Sequence, residues 1–172
     1  YLMDGQFDHQ YSHGGGGRIS DGATQWMTAG AGILHIETPP EELVVAGGLF
    51  HGVQLWVNLA SRDKFIAPAY QAIEGEEVTV VASPDGGALV RLIAGEIGGF
   101  RGPGSTKSPI TLAHVTVQSG ARVELPWPTN YNALAYVMSG DTLMGGEERP
   151  VAEGQLSVFS EGDTMVLRGA QN

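Results

Sequence analysis

Three observations predict an all-β fold. Strand-length apolar runs recur at short intervals between turn signals. The 172 residues include 26 Gly and 9 Pro with only 16% charged side chains. No amphipathic stretch reaches three helical turns. Glycine supplies positive φ and proline a fixed φ, so frequent use of both marks the many turns that short strands require. At this length the chain can bury a substantial core, as one domain or as two small ones.

Taken in order, Tyr1-Leu2-Met3 reads as a strand closing at Asp4-Gly5, and residues 6–11 as its polar, exposed partner. His13-Gly14-Gly15-Gly16-Gly17-Arg18 is expected as a flexible turn, and without a following helix it is no phosphate cradle. Ser20-Asp21-Gly22 leads into Gln25-Trp26-Met27-Thr28, a Gly-punctuated turn at residues 29–32, and a strand carrying Leu34-His35-Ile36-Glu37. Residues 38–42 read as a loop. Residues 50–59 alternate well, with Val53, Leu55, Val57 and Leu59 on one side and Gln54, Trp56 and Asn58 on the other. Residues 61–70, with Pro68, form an irregular crossing. Further strands are expected at 77–82, 88–94, 110–117, 121–125, 133–138, 156–159 and 164–167, separated by turn clusters such as Pro84-Asp85-Gly86-Gly87.

An internal repeat organises these elements. Tyr1-Leu2-Met3-Asp4-Gly5 is echoed by Tyr136-Val137-Met138-Ser139-Gly140. Ser20-Asp21-Gly22-Ala23 is echoed, more weakly, by Ala152-Glu153-Gly154-Gln155 at a similar spacing. Two related β-barrels in tandem explain the pattern, one over 1–97 and the other over 98–172, with a linker at 98–109.

The formal net charge is -10, with 9 basic against 19 acidic residues. No basic cluster interrupts that field, so direct binding to nucleic-acid phosphates is not expected. The absence of cysteine removes disulfides and thiolate metal sites and fits a reducing cytoplasm. Apolar runs fall far short of the roughly 20 residues of a membrane helix, and the opening residues show no secretory signal. The chain opens inside a strand-like pattern rather than at Met, so further residues are expected ahead of Tyr1.

One motif carries chemistry. Alternate side chains of a strand share a face, so His35 and Glu37 point one way while Leu34 and Ile36 point the other. An imidazole beside a carboxylate offers nitrogen and oxygen ligands to a divalent metal, although two ligands are too few for a tight site. The second barrel has Gly162-Asp163-Thr164-Met165 at the corresponding place and is expected to be metal-free. His51 is expected as a packed or rim residue, His114 as structural, and His9 and His13 as solvated. Trp26, Phe50 and Trp56 are expected in the core.

The strings Gln25-Trp26-Met27-Thr28-Ala29-Gly30 into Gly32-Ile33-Leu34-His35, and His51-Gly52-Val53-Gln54-Leu55-Trp56-Val57-Asn58-Leu59, resemble the pirin family of the cupin superfamily. Pro68-Ala69-Tyr70-Gln71 and Asn132-Ala133-Leu134-Ala135-Tyr136-Val137 extend the resemblance over nearly the whole chain. It implies a bicupin whose N-terminal barrel binds metal through three His and one Glu. His35 matches the third histidine and Glu37 the glutamate, while the first two histidines belong to a His-Pro-His-Arg-Gly stretch expected just before Tyr1. At the other end the family continues past Leu167-Arg168-Gly169 with a further strand. Ile36 stands where the family usually has Ser, on the side facing away from the metal. The implied metal is iron first, with nickel, zinc, manganese, copper or cobalt as alternatives.

The resemblance also implies what such a site does. The first reading is a quercetin 2,3-dioxygenase-type oxygenase acting on a flavonol, a small aromatic substrate, with Glu37 as both ligand and proton acceptor. The second is a non-enzymatic, redox-sensitive regulator that contacts a protein partner, for which an acidic surface suits basic partners. The third is a degenerate, metal-free bicupin.

Overall fold

A computed structural model describes residues 1–12 and 14–171; the solvated role expected for His13 lies outside the described residues. Among the described residues the secondary structure is short strands, one six-residue α-helix and a 3-10 turn at Ser61–Asp63. The chain is therefore all-β, as the density of Gly and Pro predicts. It divides into two compact units, the first comprising Tyr1–Val78, Ile93–Gly95 and Gly102–Ile110, the second Thr79–Leu92, Glu96–Arg101 and Thr111–Asn172. This interleaved division differs from a single cut after residue 97.

The first unit begins with β1 (Leu2–Asp4), β2 (Gln6–Tyr11), β3 (Gly15–Ser20), β4 (Thr24–Thr28) and β5 (His35–Thr38). It continues with α1 (Glu41–Ala46), β6 (His51–Gly52) and β7 (Ala69–Ile73). These strands pair antiparallel as β3-β2-β5, β4-β7 and β1-β6. Leu2, Ile19 and Ala23 form a small buried cluster with Phe7 against it.

Four expectations fail here, each for a local physical reason. Three of the four glycines at 14–17 lie in strand β3, because their backbone has a partner in β2 and needs no side chains to hold it there. Where a loop was expected over 38–42, a helix begins at Glu41 and runs to Ala46: the single Pro40 carbonyl accepts from both Leu43 and Val44 N–H, and Glu41 and Glu42 sit in the first turn, where the helix dipole favours negative charge. Alternation at 50–59 yields only His51–Gly52 as strand, since the ladder with β1 covers those two residues alone. Trp56 is consequently 92% exposed and Phe50 is exposed too, so neither is a core residue, and Trp26 is only half-buried. His51 sits exposed, as a rim residue, with Nδ1 3.9 Å from Asp4 Oδ2.

In the second unit β8 (Thr79–Ala82), the first residues of β9 (Ala88–Ala94) and β12 (Leu112–Val117) form one sheet, and β10 (Glu96–Ile97) pairs with β11 (Phe100–Arg101). A second sheet has the order β13-β18-β15-β16, from β13 (Arg122–Pro126), β15 (Thr142–Met144), β16 (Arg149–Val151) and β18 (Thr164–Gly169). The pair β14 (Leu134–Tyr136) and β17 (Leu156–Val158) completes the unit. Alternation governs the burial: along β13, Val123 and Leu125 are buried while Arg122 and Glu124 are exposed. Ala88, Val90, Leu92, Val123, Leu125, Met165 and Leu167 belong to one apolar core. In the stretch read as a linker, residues 100–101 lie in a hairpin and residues 102–110 group with the first unit.

The internal repeat reappears as two copies of one hydrogen-bond clamp. In the first, Leu2 N–H donates to Ala23 O and Gly22 N–H to Leu2 O; Gly5 N–H is capped by Asp21 Oδ1 at 2.7 Å. In the second, Val137 N–H donates to Gln155 O and Gly154 N–H to Val137 O; Gly140 N–H is capped by Glu153 Oε2 at 3.0 Å. Gly22 and Gly154 hold φ of 80° and 78°, left-handed values that glycine adopts without strain. The sequence echoes therefore mark equivalent backbone junctions.

Leu92 is fully buried among β-branched and aliphatic neighbours. Leu92→Ala should destabilise the second unit by about 2–5 kcal/mol, measured as a lower urea midpoint by circular dichroism at unchanged slope.

Candidate metal centre

Strand β2 lies between β3 and β5 and fixes which side chains meet. Its ladder with β5 sets His9 opposite Glu37 and Tyr11 opposite His35. Directly opposed residues share a face, as do alternate residues along each strand. His9, Tyr11, His35 and Glu37 therefore project from one face of the sheet. Ile36, Asp8 and Gln10 belong to the other face, where Ile36 is 65% exposed, so the residue between the two candidate ligands does point away from them.

On the candidate face, His35 Nδ1 lies 3.5 Å from Glu37 Oε1, with both side chains about one-third exposed. Glu37 Oε2 accepts a 3.3 Å hydrogen bond from Gln54 Nε2. His9 is only 3% exposed, and neither ring nitrogen has a hydrogen-bond partner. The Tyr70 ring, from β7, is 4.9 Å from the His9 ring and 5.3 Å from that of Tyr11, while His9 and Tyr11 stack 6.2 Å apart. Opposite His9 on β3 stands Gly17, where an added Cβ would lie 3.4 Å from His9 Cε1.

Electrostatics follow from this burial. Desolvation lowers the His9 pKa, opposed by the negative charge of Glu37 and then Asp8 and aided by His35. The Tyr70 phenol is pushed up to about 12, chiefly by burial, with Tyr11, Glu74 and Glu37 adding to the shift. Its hydroxyl is another buried group without a partner, as is the side-chain amide of Gln25 on β4. On the opposite face Arg18 bridges β2 to α1: Nε to Asp8 Oδ1 at 2.6 Å and a terminal nitrogen to Glu42 Oε1 at 2.6 Å. These exposed pairs add modest stability each, but they pin the strand whose register defines the site.

The turn leading into β5 explains the local sequence. Gly30 has φ of 52°, and a Cβ there would lie 2.1 Å from the Ile66 carbonyl oxygen. That same carbonyl accepts the Ala31 N–H, and Gly32 N–H donates to Ala29 O. Leu34 and Ser12 then exchange hydrogen bonds and start the pairing with β2.

The donor set fits a divalent metal in kind, with imidazole nitrogen and carboxylate oxygen at contact distance and a buried imidazole with unused nitrogens behind them. Among the described residues no three His, Asp or Glu side chains converge closely enough to hold an ion by themselves. The expectation that His9 is solvated is overturned by its burial. A signal for it was present: Phe7, His9 and Tyr11 alternate with Gln6, Asp8 and Gln10, an aromatic face against a polar one. Tyr70 and Gln54 carried no comparable signal, because distant segments bring them to the site. His114, on β12, is half-buried, and burial lowers its pKa.

Comparisons with known proteins identify the fold. The family model described as Pirin matches residues 1–57, and the Pirin C-terminal cupin domain matches residues 112–172. A Pseudomonas aeruginosa protein whose name proposes quercetin 2,3-dioxygenase activity is 37% identical over 171 residues, 99% of this chain and 59% of the relative. Pirin of Homo sapiens is 33% identical over 168 residues, 96% of this chain and 56% of the relative. A crystal structure of quercetin 2,3-dioxygenase from Acinetobacter baumannii matches with a TM-score of 0.92 at 35% identity, covering 99% of this chain and 59% of that one. The chain thus spans little more than half the length of these relatives. With the strand order above, the matches establish an all-β, cupin-type fold. No helix among the described residues is long and apolar enough to cross a membrane.

The Tyr70 shift has a direct readout. In an alkaline absorbance titration one of the five tyrosines should ionise near pH 12, well after an ordinary phenol at 10.0, and Tyr70→Phe should delete that component. Between those two pH values the unfolded chain loses the proton first, so stability should fall as pH rises, and Tyr70→Phe should flatten that fall.

Proposed function

The chain belongs to the pirin family, and on that premise we propose that its first unit is the metal-bearing part of a quercetin 2,3-dioxygenase-type oxygenase acting on flavonols. The observation that carries this reading is the single sheet face holding His35 and Glu37 at 3.5 Å, backed by the buried ring of His9. Relatives named for quercetin dioxygenase activity support it.

His35 and Glu37 hold the metal in this reading, iron first among the candidates. A divalent metal supplies Lewis acidity there and lowers the pKa of a flavonol hydroxyl placed against it. The other tasks fall to the side chains. Glu37 takes the proton that the hydroxyl releases, since a carboxylate at such a site can serve as base. The Gln54 amide holds Glu37 Oε2 and leaves Oε1 turned toward His35. Tyr11 and Tyr70 pack against each other and over His9, and their bulk keeps water from this side of the site.

Metal-loaded whole protein given quercetin should consume dioxygen and release carbon monoxide in equal amounts. Glu37→Gln should lower kcat by about 10²–10⁴-fold, the range of a lost general base. His35→Ala should lose the metal, read by elemental analysis. Fully loaded protein that leaves quercetin intact would sink the oxygenase reading and favour the partner-binding regulator.

A further inference from the structure

The side chain that the oxygenase reading does not use is His9. Its ring is enclosed: Tyr70 and Tyr11 cover it, and only 3% of the residue is exposed. A neutral imidazole carries one N–H donor and one acceptor nitrogen, and a buried donor without a partner is costly to keep. Both nitrogens of His9 are without one. Packing alone does not call for histidine at such a place, since a phenylalanine ring would fill it without the polar cost.

The ladder supplies the acceptor. His9 stands directly opposite Glu37, on the same face of the sheet. The Glu37 carboxylate has about four lone-pair sites, of which Gln54 occupies one and His35 lies near another. Asp8, the other nearby carboxylate, belongs to the opposite face and is engaged by Arg18. His9 does not join His35 and Glu37 as a third donor around one point. Carboxylates that bind metals are themselves held by hydrogen bonds, and that outer layer fixes both orientation and basicity.

We propose that His9 is a positioning residue for Glu37: its imidazole N–H donates to the Glu37 carboxylate and holds it in the orientation that binds the metal. The proposal rests on the reading of His35 and Glu37 as metal ligands. It goes beyond that reading by giving the affinity of the site a determinant on the neighbouring strand.

The test uses Co(II), whose visible bands report coordination geometry, added to metal-free whole protein carrying His9→Phe, His9→Gln or His35→Ala, each first checked for folding by circular dichroism. His9→Phe keeps the ring stack and removes the donor. It should bind Co(II) one-to-one but about 10–100-fold more weakly, with shifted visible bands. His9→Gln restores an N–H and should recover most of the affinity. Wild-type affinity and bands in His9→Phe would overturn the proposal, reducing His9 to packing. So would a His9→Gln no better than His9→Phe. Complete loss of binding in both His9 variants, matching His35→Ala, would make His9 a ligand instead and overturn the positioning role. If His9→Phe fails to fold, His9→Leu takes its place as the variant without a donor, and wild-type affinity and bands in it would overturn the proposal. Wild-type protein that ignores Co(II), or binds it equally after His35→Ala, would overturn the metal reading itself and the proposal with it. Loss confined to His35→Ala overturns the proposal alone.

Discussion

The candidate site depends on one register, that of β2 between β3 and β5. Side chains alternate with a period of two, so a slip of one residue would send His35 and Glu37 to the opposite face from His9 and Tyr11. Several features resist that slip. Arg18 grips Asp8 on the far face and reaches Glu42 on the helix. Ser12 and Leu34 lock the end of the ladder. On β3, Gly15 stands opposite Tyr11, and a Cβ there would lie 2.3 Å from the Tyr11 hydroxyl oxygen. A polar face is thus specified by contacts on both sides of the sheet rather than by apolar burial alone.

The two units apply one backbone plan to different ends. Each has the same clamp, in which one residue, Leu2 or Val137, exchanges hydrogen bonds with an acidic-Gly turn and that acidic side chain caps a glycine N–H. Around its copy the second unit builds an extended apolar core from Leu92, Val123, Leu125, Met165 and Leu167. The first unit has a far smaller apolar cluster. Its interior instead carries His9, Gln25 and Tyr70, buried groups whose polar atoms lack partners within the protein. Burying such groups opposes stability, and proteins accept that cost mainly where the polar interior has work to do.

Much of this was legible in the chain itself. Turn residues and alternation located most strands of the second unit within a residue or two, because there the apolar period and the burial coincide. The repeat was readable because the clamp needs glycine at fixed positions and an acidic residue just before one of them. His35 and Glu37 were readable as a pair from their spacing alone. Residues 50–59 misled for the converse reason: alternation records suitability for a strand, whereas a strand forms only where a neighbour offers hydrogen bonds, and residues 1–4 offer them no further than Val53. Trp56 ends exposed as a result. His9 was misread because a strand rich in Gln, Asp and His resembles a solvated edge, although β2 is the central strand of its sheet.

The sequence by itself determined the all-β class, the duplicated junctions, and the strand face shared by His35 and Glu37. Those properties reside in periods and turn residues that each segment carries alone. Tertiary structure decided that His9 is buried opposite Glu37, that Tyr70 closes over the His9 and Tyr11 rings, and that Gln54 reaches the carboxylate from an irregular segment. These depend on strand order and register between distant segments. No local period encodes which strand becomes the neighbour, and for this site the neighbour supplies the second half of the chemistry.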